Sequence, residues 1–162
     1  MSELSKMARL HIPLMPGKGY SITQNDPVKK LSIPAILCEA KVAITPMEGR
    51  MRYGGTMEIT RVNHKININR VKGIIESVPK YFPDLQIALP DTRDIWYGFR
   101  PCSPDGLPYL GRSKKLKNVI IAGGHSMMGL SLGPASGKLV AEFANGEPLS
   151  VKVDVFNPER FS

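Results

Sequence analysis

The stretch NVIIAGGHSMMGLSLGPASGKLVAEFANG, residues 118–146, decides how the rest of the chain is interpreted. It begins with a short β-branched apolar run at 118–122, which is typical of a buried strand, and Gly123 and Gly124 end that run. Apolar residues recur at helical spacing after Pro134, so we expect a helix from this proline to a stop at Gly146. The stretch therefore predicts a strand, a glycine-rich turn and a helix in direct succession.

A glycine-rich turn that leads into a helix leaves backbone N–H groups free and places a partial positive charge at the helix start. Such a place favours a phosphate, a carboxylate or a flavin ring. The phosphate-loop pattern fails, because three residues instead of four separate Gly133 from Gly137 and Leu139 follows Lys138 where Ser or Thr is required. The dinucleotide pattern G-x-G-x-x-G does not occur in the chain either. On these residues alone, a connection that binds nothing remains an open alternative.

Composition excludes several classes of protein. With 162 residues, 42% hydrophobic and 22% charged, the chain is long enough for one domain with its own core and does not resemble a disordered protein. The net charge of +8 could indicate nucleic-acid binding, but the densest basic group, 112–117, has no interleaved aromatic residues. A solvated surface is therefore favoured over a nucleic-acid partner. Two cysteines without metal-ligand spacing predict no metal site.

The pattern of short apolar runs and turns predicts an α+β fold, with a mostly antiparallel or mixed sheet flanked by helices. The pair Gly54-Gly55 is unusual inside a strand and indicates a bulge or the close approach of something bulky. We expect helices at 2–10 and 67–82, and strands at 17–23, 35–38, 42–45, 50–60, 94–99 and 151–155.

Three further stretches precede the opening one in a fixed order: GKGYSIT at 17–23, KVAITPMEGRMRYGGTMEI at 41–59 and GFRPCSPDGLPYLGR at 98–112. Together the four resemble the carboxy-terminal part of FAD-dependent D-amino-acid dehydrogenases, within the glycine and D-amino-acid oxidase family. The resemblance covers nearly the whole chain. Members of this family begin with a dinucleotide-binding βαβ unit, and its absence here implies a fragment of a longer enzyme.

The resemblance also implies a division of this single compact fragment. Residues 10–112 would belong mainly to the substrate domain, and residues 113–162 would supply the strand, turn, helix and tail that contact FAD. We expect FAD in the full-length protein but not in this chain alone. The expected location is cytoplasmic, with peripheral attachment to the inner face of the membrane left open.

Roles for individual residues follow from the same resemblance. Arg100, in the motif Gly-x-Arg-Pro, matches the arginine that binds the substrate carboxylate in these enzymes, and Met57 matches a residue that lines the substrate pocket. Tyr53 and Tyr97 are candidates for a hydroxyl that glycine oxidases place near Ala43 and that this chain lacks there. The residues expected to contact the flavin are Gly123, Gly124, His125, Ser126, Met127, Met128, Gly129, Leu130 and Ser131.

The reaction implied is hydride transfer from the α-carbon of a D-amino acid to FAD, which gives an imine that water hydrolyses to a 2-oxo acid and ammonia. No catalytic side chain is assigned, because a neutral substrate amine needs no base, and His125 need not take part. Met127 stands where glycine oxidases carry an arginine, which indicates a more apolar pocket. A quinone or another electron acceptor would be a partner. The alternative is a catalytically silent fragment that self-associates without FAD.

Overall fold

The computed structural model describes residues 2–162, and these divide into two units. One unit is Lys18–Phe99, and the other combines the residues up to Gly17 with Arg100–Ser162. The expected assignment of residues 10–112 to a substrate domain and of 113–162 to the FAD-contacting part stays a prediction. The helices are α1 (Ser2–Met7), α2 (Ile68–Tyr81) and α3 (Gly129–Asn145). The strands are β1 (Met15–Asn25), β2 (Ala35–Leu37), β3 (Val42–Met47), β4 (Arg50–Ile59), β5 (Trp96–Cys102), β6 (Tyr109–Arg112) and β7 (Ile120–Gly123).

A five-stranded sheet in the order β2-β3-β4-β1-β5 forms the scaffold of the unit Lys18–Phe99. Strands β2 and β3 are antiparallel, as are β3 and β4, so the expected antiparallel or mixed sheet is confirmed. Helix α2 packs on one face of the sheet and buries Val71, Ile74 and Val78, which recur at helical spacing. The sheet contributes further buried residues to this core, among them Tyr20, Ile22, Val42, Ile44, Met51 and Tyr53.

A buried lysine lies at the edge of this core. Lys18 is fully buried, and its Nζ donates to the main-chain and side-chain oxygens of Asn63 at 3.1 Å each and to the carbonyl of Lys65. The same nitrogen lies 4.6 Å from the centre of the Tyr97 ring and 5.6 Å from that of Phe99. Carbonyl oxygens and aromatic faces thus replace the water that a lysine normally requires. No pattern of residue types around Lys18 indicated this arrangement.

The second unit contains a two-stranded antiparallel sheet, β6 and β7, against which α3 packs. Its core consists of Leu10, Ile12, Tyr109 and Ile121. The hydroxyl of Tyr109 donates to the carbonyl of Pro13 at 2.7 Å, which fixes the segment before β1 to this core.

The carboxy-terminal tail is held by a bidentate ion pair. Arg160 Nε and Nη2 donate to Asp105 Oδ2 and Oδ1 at 2.8 and 2.9 Å. The same guanidinium lies 4.2 Å from the centre of the Tyr109 ring. These hydrogen bonds favour the ionised carboxylate, so they hold the pKa of Asp105 well below its usual range.

Two expectations about secondary structure are wrong. The segment 151–155 forms no strand: it contains one bend, at Val151, and the start of a short 3-10 helix, Asp154–Phe156. Its alternating valines lack a neighbouring strand with which to pair, and Val151 and Val155 are exposed. Helix α3 begins at Gly129, five residues before the expected start at Pro134. Proline has no N–H to donate to the carbonyl of Leu130, and Pro134 lies in an exposed part of the helix.

Candidate functional site

The turn between β7 and α3 is built on glycine. Gly124 has a φ of +75°, in the left-handed region that favours glycine, and a Cβ at this position would lie 2.9 Å from Cδ2 of Tyr109. The next left-handed residue is Ser126, with a φ of +49°. The chain therefore reverses tightly over the Tyr109 ring before α3 begins.

The turn is tied by its backbone to the end of β5. His125 forms an isolated antiparallel bridge with Cys102, and the N–H of Ser126 donates to the carbonyl of Pro101 at 3.2 Å. Both anchoring residues follow Arg100 directly in the chain. The expected carboxylate-binding residue and the expected flavin-contacting turn are therefore brought together within one unit.

The imidazole of His125 is engaged by α3. Its Nε2 lies 2.8 Å from Oγ of Ser136, two turns into the helix. A hydrogen bond of this length orients the ring and fixes the turn relative to the helix axis. This contact gives His125 a structural role, and the expectation that it need not act in catalysis stays a prediction.

The first turns of α3 are exposed. Leu130 is 94% exposed, Met127 and Met128 are also exposed, and Met128, the residue at the helix N-cap, makes no side-chain capping bond within residues 2–162. Helix starts without such a cap leave backbone donors available for a ligand. Donors at an accessible helix start fit the electron-rich pyrimidine edge of a flavin. Because the helix begins at Gly129, the last three of the nine expected contact residues are helical.

Arg100 carries a buried donor that has no acceptor. Its Nη1 is inaccessible to solvent, and no hydrogen-bond partner for this atom lies within the described part of the chain, 2–162. A guanidinium N–H buried in this way is costly unless an acceptor reaches it. A carboxylate, which accepts two parallel bonds from arginine, fits this requirement.

The other two substrate-contact candidates lie in the unit Lys18–Phe99. Met57 is 43% exposed on β4. Tyr53 is fully buried in the core, and its hydroxyl donates to Oε1 of Gln24 at 3.2 Å. The Tyr53 hydroxyl is thus already engaged by Gln24, which is half-buried. The hydroxyl of Tyr97 lies 2.8 Å from Nδ1 of His64.

Comparison with known proteins decides the family. The model of the FAD-dependent oxidoreductase family called DAO matches residues 2–143. The chain belongs to this family. It is 33% identical over 159 residues to a D-amino acid dehydrogenase of Neisseria gonorrhoeae and 32% identical over 161 residues to one of Vibrio atlanticus, and these alignments cover 94% and 98% of the chain. The chain spans only 36% and 38% of the lengths of these relatives.

Solved structures agree with the fold. Glycine oxidase from Geobacillus kaustophilus superposes with a TM-score of 0.82 at 25% identity, over 98% of this chain and 42% of the oxidase. An L-proline dehydrogenase from P. horikoshii superposes with a TM-score of 0.79 at 24% identity, over 97% of this chain and 43% of the dehydrogenase. These superpositions confirm the expected fold, and the family model together with the relatives confirms the expected family. Within residues 2–162, no helix has the length and apolar character needed to cross a membrane.

Sequence reasoning missed the residues that support the turn. Pro101 and Cys102 anchor it through their backbones, and backbone pairing leaves no pattern of residue types. Ser136 lies on the predicted helix, but nothing in its neighbourhood indicated a histidine partner. The left-handed Thr56 in β4 was missed as well, although the pair Gly54-Gly55 marked its position.

Proposed function

We propose that this chain is the substrate-binding and flavin-contacting part of an FAD-dependent oxidoreductase that converts D-amino acids to 2-oxo acids and ammonia. The observation that carries the proposal is the buried Nη1 of Arg100, which has no hydrogen-bond partner among residues 2–162, on the strand whose next two residues hold the turn before α3. A carboxylate at this place would complete the hydrogen bonding of the guanidinium. The relatives from Neisseria gonorrhoeae and Vibrio atlanticus carry the name D-amino acid dehydrogenase, which supports the choice of substrate.

The residues of the chain have separable tasks in this proposal. Arg100 binds both carboxylate oxygens and so fixes the orientation of the α-carbon. The turn around Gly124 and the start of α3 present backbone N–H groups and a helix dipole, which stabilise negative charge on a neighbouring electron-rich ring. Met57 supplies an apolar wall for the substrate side chain.

FAD, when bound, supplies the acceptor for the two electrons and the proton that leave the α-carbon as hydride. The amine nitrogen of the substrate then forms the C=N bond and loses a proton to solvent, and water hydrolyses the imine. No side chain has to remove a proton from the α-carbon. The hydrogen bond between His125 and Ser136 suits a residue that positions the turn.

The test uses the full-length polypeptide that carries this chain, purified with FAD and kept without oxygen. D-Alanine should bleach the visible absorbance of the flavin, whereas L-alanine at the same concentration should not. A panel of D-amino acids then defines the preferred side chain. A flavin spectrum that no D-amino acid changes would contradict the proposal. Reoxidation by oxygen or by a soluble quinone identifies the electron acceptor in the same cuvette.

A second candidate function applies to the 162-residue chain by itself. The exposed apolar residues at the start of α3, Met127, Met128 and Leu130, favour self-association of a colourless, inactive protein. Sedimentation should show a dimer or larger species, and Leu130→Lys should shift it toward the monomer. A yellow preparation with one FAD per chain would contradict this second candidate.

A further inference from the structure

In strand β4, the regular alternation of side chains between the two faces of the sheet is interrupted between Tyr53 and Glu58. Met51 and Tyr53 point into the core under α2 and are fully buried. Gly55 is the next residue on that side, because a Cβ there would lie 3.2 Å from Cγ1 of Ile74 in α2. Regular alternation would then bury residue 57.

Glu58 takes the inward position instead. Its Oε2 accepts a hydrogen bond of 3.1 Å from the hydroxyl of Tyr20, which belongs to the same core. The three-residue interval from Gly55 to Glu58 contains one residue more than a regular strand allows. Met57 consequently lies on the face of the sheet opposite α2, where it is 43% exposed.

The strand accommodates the extra residue at Thr56, where the backbone leaves the extended conformation. The φ of Thr56, +60°, is in the left-handed region, which β-branched residues rarely adopt. Two contacts hold it there: its N–H donates to the carbonyl of Lys41 at 3.3 Å, and its Oγ1 accepts from Nη1 of Arg70 at 3.2 Å. The absence of a side chain at Gly55 makes this approach possible, because a Cβ would lie 2.9 Å from the same Lys41 carbonyl.

We propose that Thr56 is a positioning residue, whose left-handed conformation turns Met57 to the face of the sheet opposite α2 and thereby sets the selectivity for substrate side-chain length. The inference rests on the proposed function for the role of Met57, but its conformational part does not. A strained residue next to an expected pocket residue is a common place for conformational control of a site. Nothing about Thr56 in the amino-acid sequence indicates this role.

The first test measures strain in the purified chain. Thr56→Gly removes a β-branched residue from a left-handed position, so the melting temperature should stay the same or rise by a few degrees. Thr45→Gly, at an exposed position in the regular part of β3, should lower it by a few degrees. Equal decreases for both variants would overturn the claim of strain.

The second test measures where Met57 points. Hydrogen peroxide should oxidise Met57 at least about tenfold faster than the buried Met51, as measured by peptide mass spectrometry. Thr56→Asn keeps a residue that tolerates the left-handed region, so the pattern should persist. Thr56→Pro imposes a φ near −65° and should protect Met57 severalfold. Unchanged oxidation in a cooperatively folded Thr56→Pro variant would overturn the proposal.

The third test uses the full-length polypeptide with D-alanine and D-methionine. Met57→Ala and Thr56→Pro should both raise KM for D-methionine about tenfold relative to D-alanine, with kcat nearly unchanged, and Thr56→Asn should behave as the wild type. A shift for Met57→Ala without one for Thr56→Pro would overturn the role of Thr56. If the wild type oxidises neither substrate, the proposed function fails together with the selectivity, and the first two tests decide the conformational part alone.

Discussion

The backbone N–H of Ser126 donates to the carbonyl of Pro101 at 3.2 Å. This one bond joins the turn before α3 to the residue that follows Arg100, and the bridge between His125 and Cys102 reinforces it. Both contacts are made by the backbone, so they do not depend directly on the chemistry of the side chains at 101, 102, 125 and 126. The position of the turn relative to Arg100 is therefore a property of the fold.

We expect Gly124→Ala to destabilise the chain by about 3 kcal/mol. About 1 kcal/mol of this comes from the left-handed backbone, and the remainder from the clash with Tyr109. Gly106→Ala is the matched control, because Gly106 has nearly the same φ, +76°, and open space where its Cβ would lie. Urea denaturation of both variants measures the difference. Equal losses of stability would show that the Tyr109 ring moves aside without cost.

The structure explains why the strand, the turn and α2 could be predicted whereas the start of α3 could not. The periodic apolar residues of α2 and the β-branched run of β7 record their burial directly in residue type. The first turns of α3 contain Gly129, Gly133 and Pro134, all poor helix formers, so local propensity placed the start too late. A pattern of residue types indicates which side chains are buried. The first helical turns of α3 are exposed, so no such pattern marks where the helix begins.

We expect Lys18→Met to destabilise the chain by about 2 kcal/mol, because the oxygens of Asn63 and Lys65 lose their donor. Hydrogen exchange should also become faster at the amides of 63–67. Lys65→Met removes the same charge from an exposed side chain and should change stability by less than about 0.5 kcal/mol. If Lys18→Met equals or exceeds the wild type in stability, the burial of the ammonium group costs more than its hydrogen bonds contribute.

We expect the ion pair of Asp105 and Arg160 to make the chain sensitive to acid. Arg160 lowers the pKa of Asp105, so the ionised carboxylate contributes stability above the ordinary carboxyl pKa, and this contribution is lost as pH falls below that value. Asp105→Asn should cost about 2 kcal/mol at pH 7, and the difference from wild type should decrease steadily below about pH 4. Urea denaturation at several pH values measures this. A difference that does not depend on pH would contradict the account.

The site itself was predictable only in part. Arg100 was assigned by resemblance, and the burial of its Nη1 is a property of the folded chain that no spacing of residues records. Tyr53 illustrates the opposite case: a tyrosine suggested a hydroxyl for the pocket, whereas the alternation of β4 buries it against α2. The face of the sheet on which a side chain lies changes with every irregularity that precedes it in the strand. Thr56 introduces such an irregularity before Met57, and its residue type does not indicate it.

The most direct test of the central claim, that Arg100 binds the substrate carboxylate, is the reduction of bound flavin by D-alanine in a stopped-flow instrument without oxygen. In the full-length polypeptide, Arg100→Ala should raise the apparent Kd for D-alanine by about 100-fold or more, and Arg100→Lys should raise it less, because lysine retains the charge but not the paired donors. Arg61→Ala, at an exposed arginine, is the control and should match the wild type. An apparent Kd that Arg100→Ala leaves unchanged, with flavin still bound, would contradict the account.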